Sequence, residues 1–156
     1  MARLELITVD ETVFEAMLTD FKQYASVPDD TQDEMLLRII RNAALRVQEY
    51  ADRAFVPCTV RATLAIPVSG IVRLYLGGGV VSEVKNDRGE AMPFDYLPGG
   101  RLQLFAHSGT AQVTYDVEPN QGDIYSLEQA VIRYATADYD GAETDELNRI
   151  LTESVL

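Results

Sequence analysis

The stretch that most limits how this chain can fold is residues 31–55, TQDEMLLRIIRNAALRVQEYADRAF, its longest strongly periodic run. At about 100° per residue, Leu36, Leu37, Ile39, Ile40, Ala43, Ala44, Val47, Tyr50, Ala51, Ala54 and Phe55 fill one arc of roughly 160°. Arg38, Arg41, Asn42, Arg46, Gln48, Glu49, Asp52 and Arg53 fill the other side, with Leu45 alone among them. Thr31 and Glu34 have the spacing of a capping box. Asp29, Asp30 and Asp33 put negative charge where a helix dipole is positive. Pro57 limits the far end, because the residue before a proline seldom stays helical. An apolar arc this wide requires a covering partner, and the spacing predicts a helix over 31–55 with the rest of the chain packed around it.

Other elements follow from the same patterns. Val13, Phe14, Met17, Leu18, Phe21 and Tyr24 recur at helical spacing after a second capping box at Thr8 and Glu11, which predicts a helix over about 9–24. The short linker Ser26-Val-Pro-Asp-Asp then predicts an antiparallel helix hairpin. From Thr59 the period changes to two. Val60, Ala62, Leu64 and Ile66 alternate with Thr59, Arg61, Thr63 and Ala65, the pattern of a half-buried strand. Further short strands are expected at 71–76, 80–84, 92–96, 102–104 and 111–117, separated by Gly77-Gly-Gly79, Asn86-Asp-Arg-Gly89, Pro98-Gly-Gly100 and His107-Ser-Gly109. Ser126-x-x-Gln129 opens a third helix to about residue 140, with Gly141 as its stop. Residues 144–156 read as a short terminal helix with Leu147, Ile150, Leu151, Val155 and Leu156 on one side. The expected class is therefore α+β: a helical core with an antiparallel sheet inserted at about 59–117, a main domain over 1–141, and a helical, partner-binding extension over 142–156.

Composition excludes several function classes. Twenty-five acids against thirteen bases leave a formal charge of −12 in 156 residues, the opposite of a protein that grips nucleic-acid phosphates. No run of 18 apolar residues suggests a membrane span. The opening MARLELITVDE lacks the cationic flank and apolar core of a secretory signal. The single Cys58 allows no internal disulfide, and Cys58 with His107, the only histidine, has no identifiable third group for nucleophilic catalysis. No metal-ligand spacing occurs. Gly77, Gly78 and Gly79 lack the lysine and following helix of a phosphate loop, and read as an inter-strand loop reaching a neighbour or a lumen. No catalytic residue, cofactor site or metal site is assigned. Two surfaces stand out instead. The polar side of the long helix (Arg38, Arg41, Leu45, Gln48, Asp52) fits a contact with an acidic neighbouring subunit. The terminal stripe, from Leu147 through Ile150 and Leu151 to Val155 and Leu156, docks on the chain's own core or inserts in a partner's groove.

From about residue 10 to 140 the order of elements resembles the head–tail connector family of tailed phages, also called adaptor or head-completion proteins. The resemblance rests on the short first helix, the acidic linker, and the long helix closing on Tyr50, Arg53 and Phe55. It continues through a strand ending in Pro67, the segment VVSEVKNDRGEAMPFDY, Gly100-Arg-Leu-Gln-Leu104, Val113-Thr-Tyr115 and the closing helix. The chain departs from many members in Tyr-Asp-Val-Glu-Pro-Asn-Gln-Gly122, where they carry an Ala-Gly-Tyr-like segment, and in its last fifteen residues. The resemblance implies a non-enzymatic virion protein, made in the bacterial cytoplasm and built into the neck as a ring, commonly of twelve copies. It implies a portal protein on one side, a stopper or tail protein on the other, and DNA passing through without specific binding; the terminal helix, outside the resemblance, is our own expectation for the portal contact. No membrane partner is implied. A monomeric acidic interaction domain and a small carboxylate-dependent hydrolase are the rival readings; the hydrolase requires paired carboxylates with one pKa raised.

Overall fold

A computed structural model describes residues 3–155. In chain order the elements are β1 (Arg3–Val9), α1 (Glu11–Ala25), α2 (Asp33–Ala51), β2 (Cys58–Ala65), β3 (Ile71–Arg73), β4 (Val80–Asn86), β5 (Phe94–Leu97), β6 (Arg101–Leu104), β7 (Thr110–Val117), α3 (Gln121–Tyr139) and α4 (Thr144–Val155). The class is α+β, with four helices and two antiparallel sheets among the described residues. None of the helices is long and apolar enough to cross a membrane. The chain divides into two compact units, one of strands (Met1–Val9 and Pro57–Glu118) and one of helices (Asp10–Val56 and Pro119–Leu156). Residues 142–155, expected as a terminal extension, group with the helical unit.

In the strand unit, β1-β2-β7-β4 form one sheet and β3-β6-β5 a second. Period-two alternation places Cys58, Val60, Ala62 and Leu64 of β2 on the buried side, in register with Val117, Tyr115, Val113 and Ala111 of β7, also buried. Leu102 and Leu104 of β6 and Val72 of β3 contribute the buried residues of the smaller sheet. One tyrosine joins the two sheets: the Tyr115 hydroxyl accepts from the Tyr75 amide at 3.0 Å and donates to the Tyr75 carbonyl at 3.1 Å. The expected insert accounts for β2 to β7 but not for β1. Residues Arg3–Val9 pair antiparallel with β2 as an edge strand, with an irregularity between Leu6 and Thr8. Leu4 and Leu6 alternate with exposed Arg3, Glu5 and Ile7, a strand pattern in a segment for which no element was expected.

The helical unit buries the arc that the sequence singled out. Leu36, Ile40, Ala43, Ala44 and Val47 of α2 are buried with Phe14, Met17 and Phe21 of α1, Leu127, Ala130, Val131 and Ala135 of α3, and Ile150 and Leu151 of α4. The α1–α2 hairpin is antiparallel, tied at one end by Lys22 to Asp30 (2.6 Å) and Asp33, and at the other by Arg41 to Glu11 (2.9 Å). The helix ends differ from the expected ones for local reasons. Thr31 does not cap α2, because its amide and hydroxyl both donate to Asp29 Oδ1 (3.1 and 2.7 Å). Asp10, not Thr8, caps α1, accepting from the Thr12 amide at 3.1 Å. α3 starts five residues before Ser126, at Gln121, where the Asn120 side chain accepts from the Gly122 amide at 2.9 Å. α2 stops at Ala51, short of Phe55, because Asp52 turns left-handed at φ 52°. Gly141 closes α3 at φ +83°, as its position foretold.

Candidate interaction surfaces

On α2, residues Arg38, Asn42, Leu45 and Glu49 follow one another at turn spacing and all are exposed, Leu45 at 40%. Arg41 is committed to Glu11. Among the described residues, Arg38 and Arg46 have no ion-pair partner. One residue expected on this contact face is buried instead. Gln48 is 4% exposed, and its side-chain oxygen accepts from the Phe55 amide at 3.1 Å. That bond satisfies a backbone donor stranded by the left-handed turn at Asp52. Gln48 is thus a structural clasp within the chain. Asp52 is half-buried at the end of α2.

The terminal stripe separates into two roles. Ile150 and Leu151 are buried inside the helical unit, so they are spent on the chain's own core. Val155 is half-buried, and its carbonyl accepts from Arg53 Nη2 at 3.3 Å. Leu156 lies outside the described residues. Leu147 remains half-exposed and lines, with Leu45, Arg46 and Tyr134, a cleft of about 600 Å³. The structure therefore brings Leu45 and Leu147, from two separately expected surfaces, to one place.

The glycine loop is more closely packed than a free inter-strand loop. Gly77 is exposed with open space around its Cα, but Gly78 is buried, and a Cβ on it would meet the Gly100 Cα at 3.1 Å. At Gly79 a Cβ would lie 1.8 Å from the Asp116 carbonyl oxygen. Close backbone approach requires the glycine there.

The groups tested for chemistry are dispersed. Cys58 begins β2 and is buried; burial first, then the charges of Asp116 and Glu118, push its thiol up to about 11. His107 lies past the other end of β2, donating from Nδ1 to the Val68 carbonyl at 2.7 Å. The eight residues of β2 span roughly 25 Å, so the two cannot form a dyad. Among the described residues no three His, Cys, Asp or Glu side chains are placed to hold a metal ion. One carboxylate pair does arise: burial first, and the charge of Asp20 second, raise Glu128 above the ordinary carboxylate range. Asp20 is exposed and Glu128 half-exposed, and the cleft at Leu45 is lined by other residues. No sequence pattern signals this pair, since Asp20 and Glu128 lie on helices far apart along the chain. Helical spacing placed Tyr24 in the core, whereas the ring is 63% exposed.

Charge is divided unevenly between the units. The strand unit holds six bases and seven acids, the helical unit seven and eighteen, so their formal charges are −1 and −11.

No protein-family profile matches the sequence, and no curated protein does. Solved structures do. A chain from the neck of an empty gene transfer agent particle, computed with C6 symmetry, aligns with a TM-score of 0.64 at 16% identity, covering 97% of this chain and 94% of that one. A chain from the neck of the native particle, computed with C12 symmetry, gives 0.61 at 15% identity, covering 97% and 94%. A chain from the virion of the native particle gives 0.62 at 15%, covering 96% and 93%. From first strand to last helix, this chain has the fold of proteins found in the necks of gene transfer agent particles.

Proposed function

We infer that the protein is a structural component of a phage-like neck: copies close into a ring, commonly twelve, between portal and tail, extend the DNA channel and carry a stopper or tail protein. The observation that carries this reading is the end-to-end fold similarity to chains from particle necks computed with C6 and C12 symmetry. Ring closure requires two different surfaces on each copy, and exposed Arg38 and Arg46 on α2 give the acidic helical unit two cations to offer a neighbour. An excess of eleven negative charges on that unit repels phosphates, so DNA can pass a channel it lines without adhering. The protein works without catalysis in this reading. Imaging the full chain mixed with its cognate portal rings tests it. A ring of added density below the portal is expected; bare portals at saturating protein would overturn the assignment.

A further inference from the structure

We propose that the exposed stripe of α2 centred on Leu45, flanked by Arg38 and Arg46, docks on the acidic outer face of α1 and α3 in a second copy of this chain, at Asp20, Tyr24 and Glu128. The inference rests on the ring reading above for its closure, and it names the two surfaces that would meet. Within the helical unit the charges are segregated. Residues 10–34 hold eight acids and one base, residues 35–56 four bases and two acids, and residues 119–156 eight acids and two bases. Residues 35–56 are thus the one net-basic stretch of an acidic unit, while α2 as a whole, Asp33–Ala51, balances three bases with three acids. The single base of the first segment, Lys22, is occupied by Asp30 and Asp33. Arg38 and Arg46 have no acidic partner among the described residues. Asp20 and Glu128 face each other's charge, with no cation among the influences on Glu128. An arginine from outside would relieve that repulsion and find its own partner at once.

Shape and polarity agree with charge. On α1, Ala16, Asp20 and Tyr24 are exposed at successive four-residue steps, which makes a row of small, acidic and aromatic side chains. On α2, Leu45 stands beside the cleft formed with Tyr134 and Leu147, a socket for an aromatic ring of the tyrosine type that interface centres favour. The two faces differ, so the contact is head-to-tail, the type that closes into rings.

Two measurements on the full chain test the pairing. Chains carrying Leu45→Cys and chains carrying Tyr24→Cys are mixed at high concentration and low ionic strength, then oxidised; Cys58 is buried in both. The mixed 45–24 disulfide should be the main product, and its absence, or equal yields of 45–45 and 24–24 products, overturns the proposal. Separately, Arg46→Glu should weaken self-association at least about tenfold, and Asp20→Arg added to the same chain should restore it. Failure of either step overturns the pairing. Portal binding by the unaltered chain is scored apart: normal rings without the 45–24 disulfide sink this contact alone, while bare portals sink the neck assignment.

Discussion

Arg53 and Asp123, seventy residues apart, are joined by a hydrogen bond of 2.6 Å from Nη1 to Oδ1. The same guanidinium reaches the Val155 carbonyl through Nη2 at 3.3 Å. Asp123 lies in the first turn of α3, where a negative charge suits the helix dipole, and Val155 is in the last turn of α4, where a cation does. One residue just past the end of α2 thus fixes the start of one helix and the end of another. Tyr50, one turn earlier, adds a 3.2 Å hydrogen bond to Thr152.

Replacing Arg53 by Lys keeps the charge but loses the fork that serves two acceptors. The pair is partly exposed, so the cost to global stability should be modest, about 1 kcal/mol. The local effect should be larger. Hydrogen exchange should show the amides of the last two turns of α4 losing protection well beyond the change in global stability; uniform loss across all four helices would contradict this role.

How much of this was legible beforehand depended on whether the signal was local. The arc of α2 was, because burial and periodicity sit in one stretch, and Leu36, Ile40, Ala43 and Val47 are where that arc puts them. The strands β2 and β7 were equally plain, for their alternation survives in isolation. Helix ends were less so: Thr31 looks like a cap until Asp29 is seen to take its donors. Gln48 lay on the polar side of the arc, and only the left-handed Asp52 explains its burial against the Phe55 amide. The role of α4 was ambiguous in principle, since an amphipathic stripe fits its own core as well as a partner's groove. Relations between distant helices, such as Asp20 with Glu128, carry no sequence signal at all.

Gly79→Ala should be far more damaging than Gly77→Ala. At Gly79 the added methyl would lie 1.8 Å from the Asp116 oxygen and 2.7 Å from its carbonyl carbon, both backbone atoms of β7 that cannot rotate away. The loop must move off the sheet, at a cost of roughly 3 kcal/mol or more. At Gly77 there is open space, and only the φ of +88° resists a side chain, worth about 1 kcal/mol. Urea unfolding of the two variants gives the ranking; comparable midpoints would mean the loop is not held against Asp116.

The thiol of Cys58 makes stability fall at high pH. Its folded value is about 11 against an ordinary 9.0, so between these values the native state keeps a proton that the unfolded chain has lost. Stability from this group is complete below about pH 9 and declines as pH rises to 11, by roughly 2–3 kcal/mol in all. Tyr115, pushed from 10.0 to about 12 chiefly by burial, adds a similar decline one unit higher. Cys58→Ala should be less stable near neutrality yet show a shallower fall from pH 9 to 11 than the unaltered chain. Parallel curves would show that the thiol does not titrate with unfolding.

Two apolar residues of α4, three positions apart, should separate stability from assembly. Ile150 is 5% exposed and belongs to the core of the helical unit; Ile150→Ala leaves a cavity there and should cost roughly 2–4 kcal/mol. Leu147 is half-exposed beside Leu45, so Leu147→Ala should cost about 1 kcal/mol or less. If the exposed side of α4 meets the portal while its inner side stays packed, Leu147→Ala should weaken portal binding several-fold with little change in unfolding midpoint. Ile150→Ala should do the reverse at temperatures where it remains folded. A portal that discriminates against Ile150→Ala but not Leu147→Ala would instead require the helix to detach and bind through its buried face, breaking the Arg53 bond to Val155 as it does so.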